Sequence, residues 1–125
     1  MLNHDTIIER CLALSPEVRY VAVYRDDLLR YRARPGLMGA SAGESDRYEE
    51  LLVNPTVLTL LRQRGNIDCG GLRYVVIRYG NFFQCVFPIA RGHVSVALEP
   101  TAHLPRLLNM LEAALSESLG AISPT

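Results

Sequence analysis

The segment 74–100, YVVIRYGNFFQCVFPIARGHVSVALEP, contains three runs of β-branched and aromatic residues separated by two short turn sequences. Runs of this composition, bounded by glycine-containing dipeptides, are typical of antiparallel strands joined by tight hairpins. They predict three strands and two turns: strands at about 72–79, 82–90 and 93–99, and turns at Gly80-Asn81 and Arg91-Gly92. Pro88 cannot donate a backbone hydrogen bond, so an unpaired amide or a bulge is expected there.

Length, charge and composition are those of a neutral chain of one-domain size. It has 125 residues, thirteen basic residues balance thirteen acidic ones, and a hydrophobic share of 49% is enough for a sizeable core. Neutrality argues against a protein that grips nucleic acid or anionic membranes by bulk charge. All thirteen basic residues are arginines, which excludes lysine Schiff-base chemistry and the phosphate-binding lysine of a P-loop.

Three cysteines, Cys11, Cys69 and Cys85, are far apart in the chain and form no CxxC pair. This spacing favours small buried side chains in a reducing compartment over a zinc site or a disulfide framework. No apolar run approaches the roughly 20 residues needed to span a bilayer, and the first residues lack the apolar core of a signal peptide. We therefore expect a cytoplasmic protein without membrane insertion.

The rest of the chain alternates helical and strand patterns. Apolar residues at helical spacing predict a first helix at 4–14 and a closing helix at 101–119. The stretch 18–34 predicts a β-hairpin, and 44–64 predicts two short helices or one kinked helix, with Asn54 as an N-cap before Pro55. The order is therefore α-β-β-α-β-β-β-α, an α+β layer structure. We predict a single domain over residues 1–120 and a frayed tail at 121–125.

A two-residue turn at Asp26-Asp27 would fix the register of the first hairpin and divide its side chains into two faces. The face expected to be buried carries Tyr20, Ala22, Tyr24, Leu29, Tyr31 and Ala33. Arginines crowd the opposite face, and four of them form a candidate docking patch for an acidic partner or a phosphate: Arg19, Arg30, Arg32 and Arg34. The alternatives are a solvated strand face without a partner, or a structural role in which these arginines pair with carboxylates of the following helix: Glu44, Asp46, Glu49 and Glu50.

The loop after this hairpin contains GASAG at 39–43, which fits the G-x-S-x-G nucleophile elbow. A serine hydrolase on this motif would need a nucleophile, a base and an orienting acid: Ser41, His93 or His103, and Asp46 or Asp68. An elbow follows its strand directly, whereas residues 34–38 intervene here, so a flexible loop of small residues explains the motif better. Glycines of the 36–43 loop could instead cradle an anion on free amides. We expect no enzymatic activity, no cofactor and no metal site.

Three stretches together resemble the roadblock/dynein-light-chain family, within the longin and profilin-like superfamily. They are VRYVAVYRDDLLRYRA at 18–33, the ribbon LRYVVIRYGNFFQCVFPIARGHVSVALEP at 72–100 and LPRLLNMLEAAL at 104–115. The resemblance implies a five-stranded antiparallel sheet with one helix on one face and two on the other. It also implies a non-enzymatic protein-interaction module that dimerises side by side and scaffolds or regulates small GTPases. The alternative function is a small-ligand sensor, because profilin-like and PAS-like sheets can hold a ligand between sheet and helix.

The first strand of the ribbon, at 72–79, is expected at an edge of the sheet, because its neighbour in sequence, the strand at 82–90, pairs with only one side of it. An edge rich in Tyr, Val and Ile, without Pro or Lys, invites pairing with another chain. We predict a homodimer in which two copies of this strand pair antiparallel, with the helix at 55–64 packing beside the seam. The predicted interface consists of Leu72, Tyr74, Val76, Arg78, Leu58 and Leu61.

Overall fold

Five antiparallel strands form one sheet, in the order β2-β1-β5-β4-β3, in the computed structural model, which describes residues 2–119. The strands are β1 (Val18–Arg25), β2 (Leu28–Ala33), β3 (Val75–Arg78), β4 (Phe83–Ile89) and β5 (Gly92–Leu98). The helices are α1 (His4–Ala13), α2 (Gly43–Tyr48), α3 (Asn54–Asp68) and α4 (Leu104–Leu119). The predicted fold class and element order are confirmed, and the predicted tail at 121–125 lies outside the described residues.

The first hairpin has the predicted register, with Val23 opposite Arg30 and Val21 opposite Arg32. Both turn residues have positive φ angles, 54° at Asp26 and 63° at Asp27. Two consecutive positive φ values define a type I′ turn, whose twist matches that of the flanking strands. Short Asp side chains tolerate this left-handed conformation better than most residues do, so the Asp-Asp pair suits the turn.

The main core lies on the face of the sheet opposite to the predicted one. Val21 and Val23 pack there with Phe87 beneath helices α1 and α4. Tyr20 and Ala22, on the predicted core face, belong to a much smaller cluster. The predicted alternation was right from Tyr20 onward but not at Arg19, which lies on the same face as Tyr20. The choice of core face was wrong, because Val21 and Val23 supply the buried stripe. Of the three cysteines expected to be buried, Cys11 and Cys85 are in this core, whereas Cys69 is exposed.

The other face of the sheet is covered by one helical run, in which a π-helical segment (Glu49–Val53) joins α2 to α3. The amide of Asn54 donates to the carbonyl of Glu49, five residues back. Pro55 has no amide hydrogen and its ring collides with the carbonyl four residues back in an α-helix, so a wider turn before it relieves both problems. The predicted cap at Asn54 was wrong, because this residue lies inside the run and its side chain donates to Glu50 instead.

Strand β3 occupies an edge of the sheet, as predicted, but it begins at Val75 rather than near residue 72. Pairing with β4 places Val75 opposite Val86 and Ile77 opposite Gln84. In this register the next hydrogen-bonded partner on β4 would be Pro88, which has no amide to donate. The proline therefore ends the ladder and limits the edge strand to four residues.

The turn between β4 and β5 consists of Ala90 and Arg91, because Gly92 already pairs with Ile89. The predicted turn was therefore displaced by one residue. Gly92 also pairs with Arg25 of β1, which brings three chain segments together. A Cβ atom at this glycine would lie 1.7 Å from the carbonyl oxygen of Tyr24. No side chain fits there, so this glycine fixes how closely β1 and β5 approach.

We predict that Gly92→Ala destabilises the fold by about 3 kcal/mol or more, since the added methyl group collides with backbone rather than with a movable side chain. Gly80→Ala is the matched control, because a Cβ there has nothing within 4 Å. That variant should stay within about 0.5 kcal/mol of the wild type. Chemical denaturation followed by circular dichroism measures both. Equal stability of the two variants would disprove the proposed close approach.

Candidate functional site

A cavity of about 320 Å³ lies between the sheet and the central helical run. We call it the Glu49 cavity. Its lining comes from the sheet, from the loop that precedes α2, from the helical run and from the β3–β4 turn; it includes Arg19, Tyr20, Leu37, Ser41, Asp46, Glu49, Glu50, Tyr79, Asn81, Phe82 and Gln84. The volume falls in the range of small-molecule sites, about 300–1,000 Å³. The cavity is therefore a candidate ligand site on the face of the sheet opposite the main core.

The loop that closes one side of the cavity is held in place by three hydrogen bonds. They join Arg19 Nη2 to the Met38 carbonyl at 2.7 Å, Asn81 Nδ2 to the Gly39 carbonyl at 3.3 Å, and Ser41 Oγ to Asp46 Oδ1. A positive φ of 67° at Gly39 lets the chain turn against Asn81, where a Cβ would be 3.0 Å from that side chain. The glycine-rich stretch thus serves as a shaped wall.

Arg19 reaches this cavity because of a local irregularity in β1. The register with β5 shifts between Val18 and Tyr20, which is the signature of a β-bulge. The guanidinium forms an ion pair with Glu99, with 2.9 Å between Nη1 and Oε1, and its centre lies 5.5 Å from the ring centroid of Phe82. With only 3% of its side chain exposed, Arg19 is fully engaged inside the fold.

Glu50 is the most buried carboxylate of the lining, with 1% of its surface exposed. Its oxygens lie 2.8 Å from His93 Nε2, 3.0 Å from the Tyr20 hydroxyl and 3.0 Å from Asn54 Nδ2. Burial of a carboxylate is costly unless several hydrogen bonds replace its water. Burial, followed by the charge and the hydrogen bond of Glu50, raises the pKa of Tyr20. The Tyr20 hydroxyl thus remains a donor to Glu50.

Glu49, the preceding residue, faces the cavity and has a different environment. The Tyr79 hydroxyl donates to this carboxylate, 3.1 Å from Oε1 and 3.0 Å from Oε2. Burial raises the pKa of Glu49; the Tyr79 hydrogen bond opposes this effect, and the charges of Glu50 and Asp46 add to it. Burial and the bond to Glu49 raise the pKa of Tyr79 to about 12. Within the described part of the chain, this partly desolvated carboxylate therefore has only a neutral hydroxyl as its partner.

The candidate docking arginines separate into two groups. Arg19 is buried as described, and Arg34 donates to backbone carbonyls of Val18, Leu12 and Ser15, so both have structural roles. Arg30 and Arg32 are exposed on β2. The alternative that these arginines pair with the carboxylates of the central helix is wrong. Asp46, Glu49 and Glu50 bond to other partners, Arg19 pairs with Glu99, and no ion pair of Glu44 occurs among the described residues.

The hydrolase alternative finds no assembled triad among the described residues. Ser41 is exposed and donates to Asp46, as the motif would allow. His93, however, is buried and bonded to Glu50, and His103 Nδ1 lies 3.3 Å from the Arg106 amide. The anion alternative for the 36–43 loop is disfavoured for a different reason, because the cavity beside this loop is lined by carboxylates.

The predicted dimer residues lie on strand β3, in the segment before it and on helix α3. Val76 and Arg78 belong to the edge strand, whereas Leu72 and Tyr74 precede it. Tyr74 packs against Phe87, with 5.6 Å between the ring centroids. On α3, Leu61 is exposed, but Leu58 is only 4% exposed and packs inward. Sequence reasoning missed two side chains of the exposed face of α3, Leu60 and Ile67, which are 62% and 75% exposed.

Residues 2–119 contain neither a metal-binding cluster nor a membrane-spanning helix. No group of three or more His, Cys, Asp or Glu side chains in this part of the chain could hold a metal ion. None of its helices has both the length and the apolar character needed to cross a bilayer.

The sheet order, with two helices on the core face and one helical run on the other, defines a roadblock-like α+β domain. The chain is similar to a Roadblock/LC7 domain from Streptomyces avermitilis, known from a crystal structure, with a TM-score of 0.65 and 17% sequence identity. The match covers 94% of this chain and 98% of that one. No protein-family model matches the chain, and no curated protein matches it by sequence. The likeness therefore establishes the fold alone.

We predict that Glu49→Gln stabilises the protein at pH 7. Because the folded-state pKa of Glu49 is raised, the folded protein binds this proton more tightly than the unfolded chain does. Stability is thus lost as pH rises above about 4.3, the ordinary value for glutamate, and through the raised folded-state pKa. Glutamine cannot titrate but still accepts from Tyr79, so it should remove this loss.

Thermal denaturation at pH 4 and at pH 7 tests this expectation. The Glu49→Gln variant should exceed the wild type at pH 7 and approach it at pH 4. Glu44→Gln, which neutralises an exposed carboxylate of α2, is the matched control and should change little. A gain that is the same at both pH values would show that charge burial is not its cause.

Proposed function

We propose that this chain is a non-enzymatic protein-interaction module that forms a homodimer through the β3 edge. The observation that carries the proposal is the open side of this strand. Tyr79 donates to Phe82 across the turn, and hydrogen-bonded pairs alternate along an antiparallel ladder, so Ile77 and Val75 bond inward to β4. The amide and carbonyl groups of Val76 and Arg78 therefore point outward, where an added strand would bind them.

The other edge of the sheet suits self-pairing less well. The same alternation leaves the backbone groups of Leu29, Tyr31 and Ala33 as the outward set on β2. Arg30 and Arg32 lie between them, so two antiparallel copies of β2 would bring like charges together on one face. Strand β3 has one arginine, Arg78, at its end. Charge therefore favours β3 as the self-pairing edge.

Helix α3 supplies the apolar area that a lasting interface needs. Its end is joined to the segment before β3 by a backbone bond of 3.1 Å from the Gly71 amide to the Gly65 carbonyl. Leu60, Leu61 and Ile67 are exposed on this helix. Large apolar side chains left exposed on one helix are candidates for an association surface. We therefore place these side chains, instead of Leu58, beside the proposed seam.

Val76→Pro should convert the dimer into a folded monomer, because it removes an outward donor without breaking the ladder to β4. Ala33→Pro is the matched control, since it removes an outward donor from β2. Sedimentation at tens of micromolar measures the oligomeric state, and circular dichroism confirms folding. The proposal fails if the wild type sediments as a monomer, or if the dimer survives in Val76→Pro.

The second part of this proposal concerns Arg30 and Arg32, which we infer to be a docking site for an acidic partner surface. Small GTPases are the partner class that the roadblock resemblance suggests. Both side chains are exposed, and no carboxylate of the central helix pairs with them. Two guanidinium groups on one strand face offer bidentate contacts to carboxylates.

The double variant Arg30→Glu with Arg32→Glu should leave stability within about 0.5 kcal/mol of the wild type, since exposed side chains without partners contribute little. It should lose the proteins that wild type captures from its native lysate, including any small GTPase. Arg47→Glu with Arg106→Glu makes the same change in net charge elsewhere on the surface and should retain them. Equal capture by both double variants would remove Arg30 and Arg32 from the proposal.

A second candidate function, a small-ligand sensor, is supported by the Glu49 cavity. The cavity lies between sheet and helix, where profilin-like and PAS-like domains can hold a ligand. Its lining combines apolar side chains with a few buried polar groups, which is the usual composition of a small-molecule site.

A further inference from the structure

We propose that the Glu49 cavity binds a small organic cation, with an ammonium group on its carboxylates and an apolar body against its walls. This inference rests on the second candidate function, the ligand sensor, and names the chemical class of its ligand.

The first support is the balance of charge in the lining. Three carboxylates, Asp46, Glu49 and Glu50, line the cavity. The one cation in the lining, Arg19, is neutralised by its ion pair with Glu99 and holds the Met38 carbonyl with its other nitrogen. An incoming anion would therefore meet uncompensated negative charge, whereas a cation would be attracted.

The three carboxylates differ in how many of their hydrogen-bond acceptor positions are occupied. Glu50 already accepts from Tyr20 and Asn54 and pairs with His93. Among residues 2–119, Asp46 and Glu49 each have a single neutral hydroxyl partner, from Ser41 and Tyr79 respectively. A carboxylate has about four acceptor positions, so both can accept more hydrogen bonds. They are the natural contacts for a charged donor.

Gln84 adds a further acceptor on the sheet side of the cavity. This residue is 3% exposed and lines the cavity. Its amide nitrogen donates to the Ser95 hydroxyl. The carbonyl oxygen of the same side-chain amide is an acceptor with two lone pairs. With Asp46 and Glu49, it makes three acceptors for the three N–H donors of an ammonium group.

The rest of the lining determines the remainder of the ligand. Its apolar members are Ala33, Leu37, Ala40, Phe82 and Ala97. The cavity volume of about 320 Å³ is that of about ten water molecules, each of which occupies about 30 Å³ of liquid. The cavity therefore suits a compact ligand. A bare divalent cation fits less well, because it needs several converging oxygen ligands and no such metal-binding group occurs in residues 2–119.

Hexylammonium chloride, sodium hexanoate and hexanol test the proposal, because they share one apolar chain and differ in head group. Thermal shift and isothermal titration calorimetry at pH 7 measure binding to the full chain, with sodium chloride at equal ionic strength as the reference. Hexylammonium should raise the melting temperature more than either analogue. Its affinity should fall about tenfold or more in Glu49→Gln, because a charged acceptor is lost. It should be unchanged in Glu44→Gln.

Each other outcome decides against the proposal in a distinguishable way. Preferential stabilisation by hexanoate or hexanol would overturn the cation and retain the ligand sensor. No stabilisation by any of the three at 10 mM, roughly ten times the Kd of a millimolar ligand, would remove both. Hexylammonium binding that persists in Glu49→Gln would place its site elsewhere. If that variant does not fold, Asp46→Asn provides the same test at the second carboxylate.

Discussion

The buried carboxylate of Glu50 anchors the helical layer that covers the second face of the sheet. On this face the apolar cluster is small, consisting of Tyr20, Ala22 and Ala97 with two half-buried neighbours. The central helix is therefore held largely by the polar contacts of Glu50 with His93 on β5 and Tyr20 on β1. Such contacts require exact partner geometry, since a buried charge that loses one partner is strongly destabilised. The position of the helix, and of the cavity beside it, depends on this carboxylate.

Two prolines limit the cavity and the exposed sheet edge. Pro55 lies just after the π-helical segment, which carries Glu49 and Glu50 on consecutive positions, and wide helical turns of this kind are frequent at functional sites. Pro88 ends the pairing between β3 and β4 and so keeps the exposed edge short. A short edge limits unspecific strand addition, while its outward groups remain open to a matching partner. Local chemistry at two positions thus shapes both the cavity and the edge.

Sequence patterns predicted the strands, the hairpin register and the edge position, because alternation and turn residues are local signals. They did not predict which face of β1 is the core, since both faces carry large side chains and the answer depends on where α1 and α4 pack. The cavity was not predicted either. It depends on a bulge that redirects Arg19 and on the contact between Tyr79 and Glu49, which are 30 residues apart. The pair Asn54-Pro55 resembles a helix start, and only packing shows that it lies within a continuous helical run.

The cavity and the edge strand meet at one residue, Tyr79, so an effect of one surface on the other can be measured. Tyr79 directly follows the last residue of β3, and its hydroxyl is the partner of Glu49 in the cavity. The two surfaces differ in their chemistry, since the edge offers backbone groups and apolar side chains whereas the cavity offers negative charge. Salt screens attraction between charges but has little effect on strand pairing. Any coupling between the proposed ligand and the proposed dimer must also be reciprocal, so it would change ligand affinity and dimer affinity by the same factor.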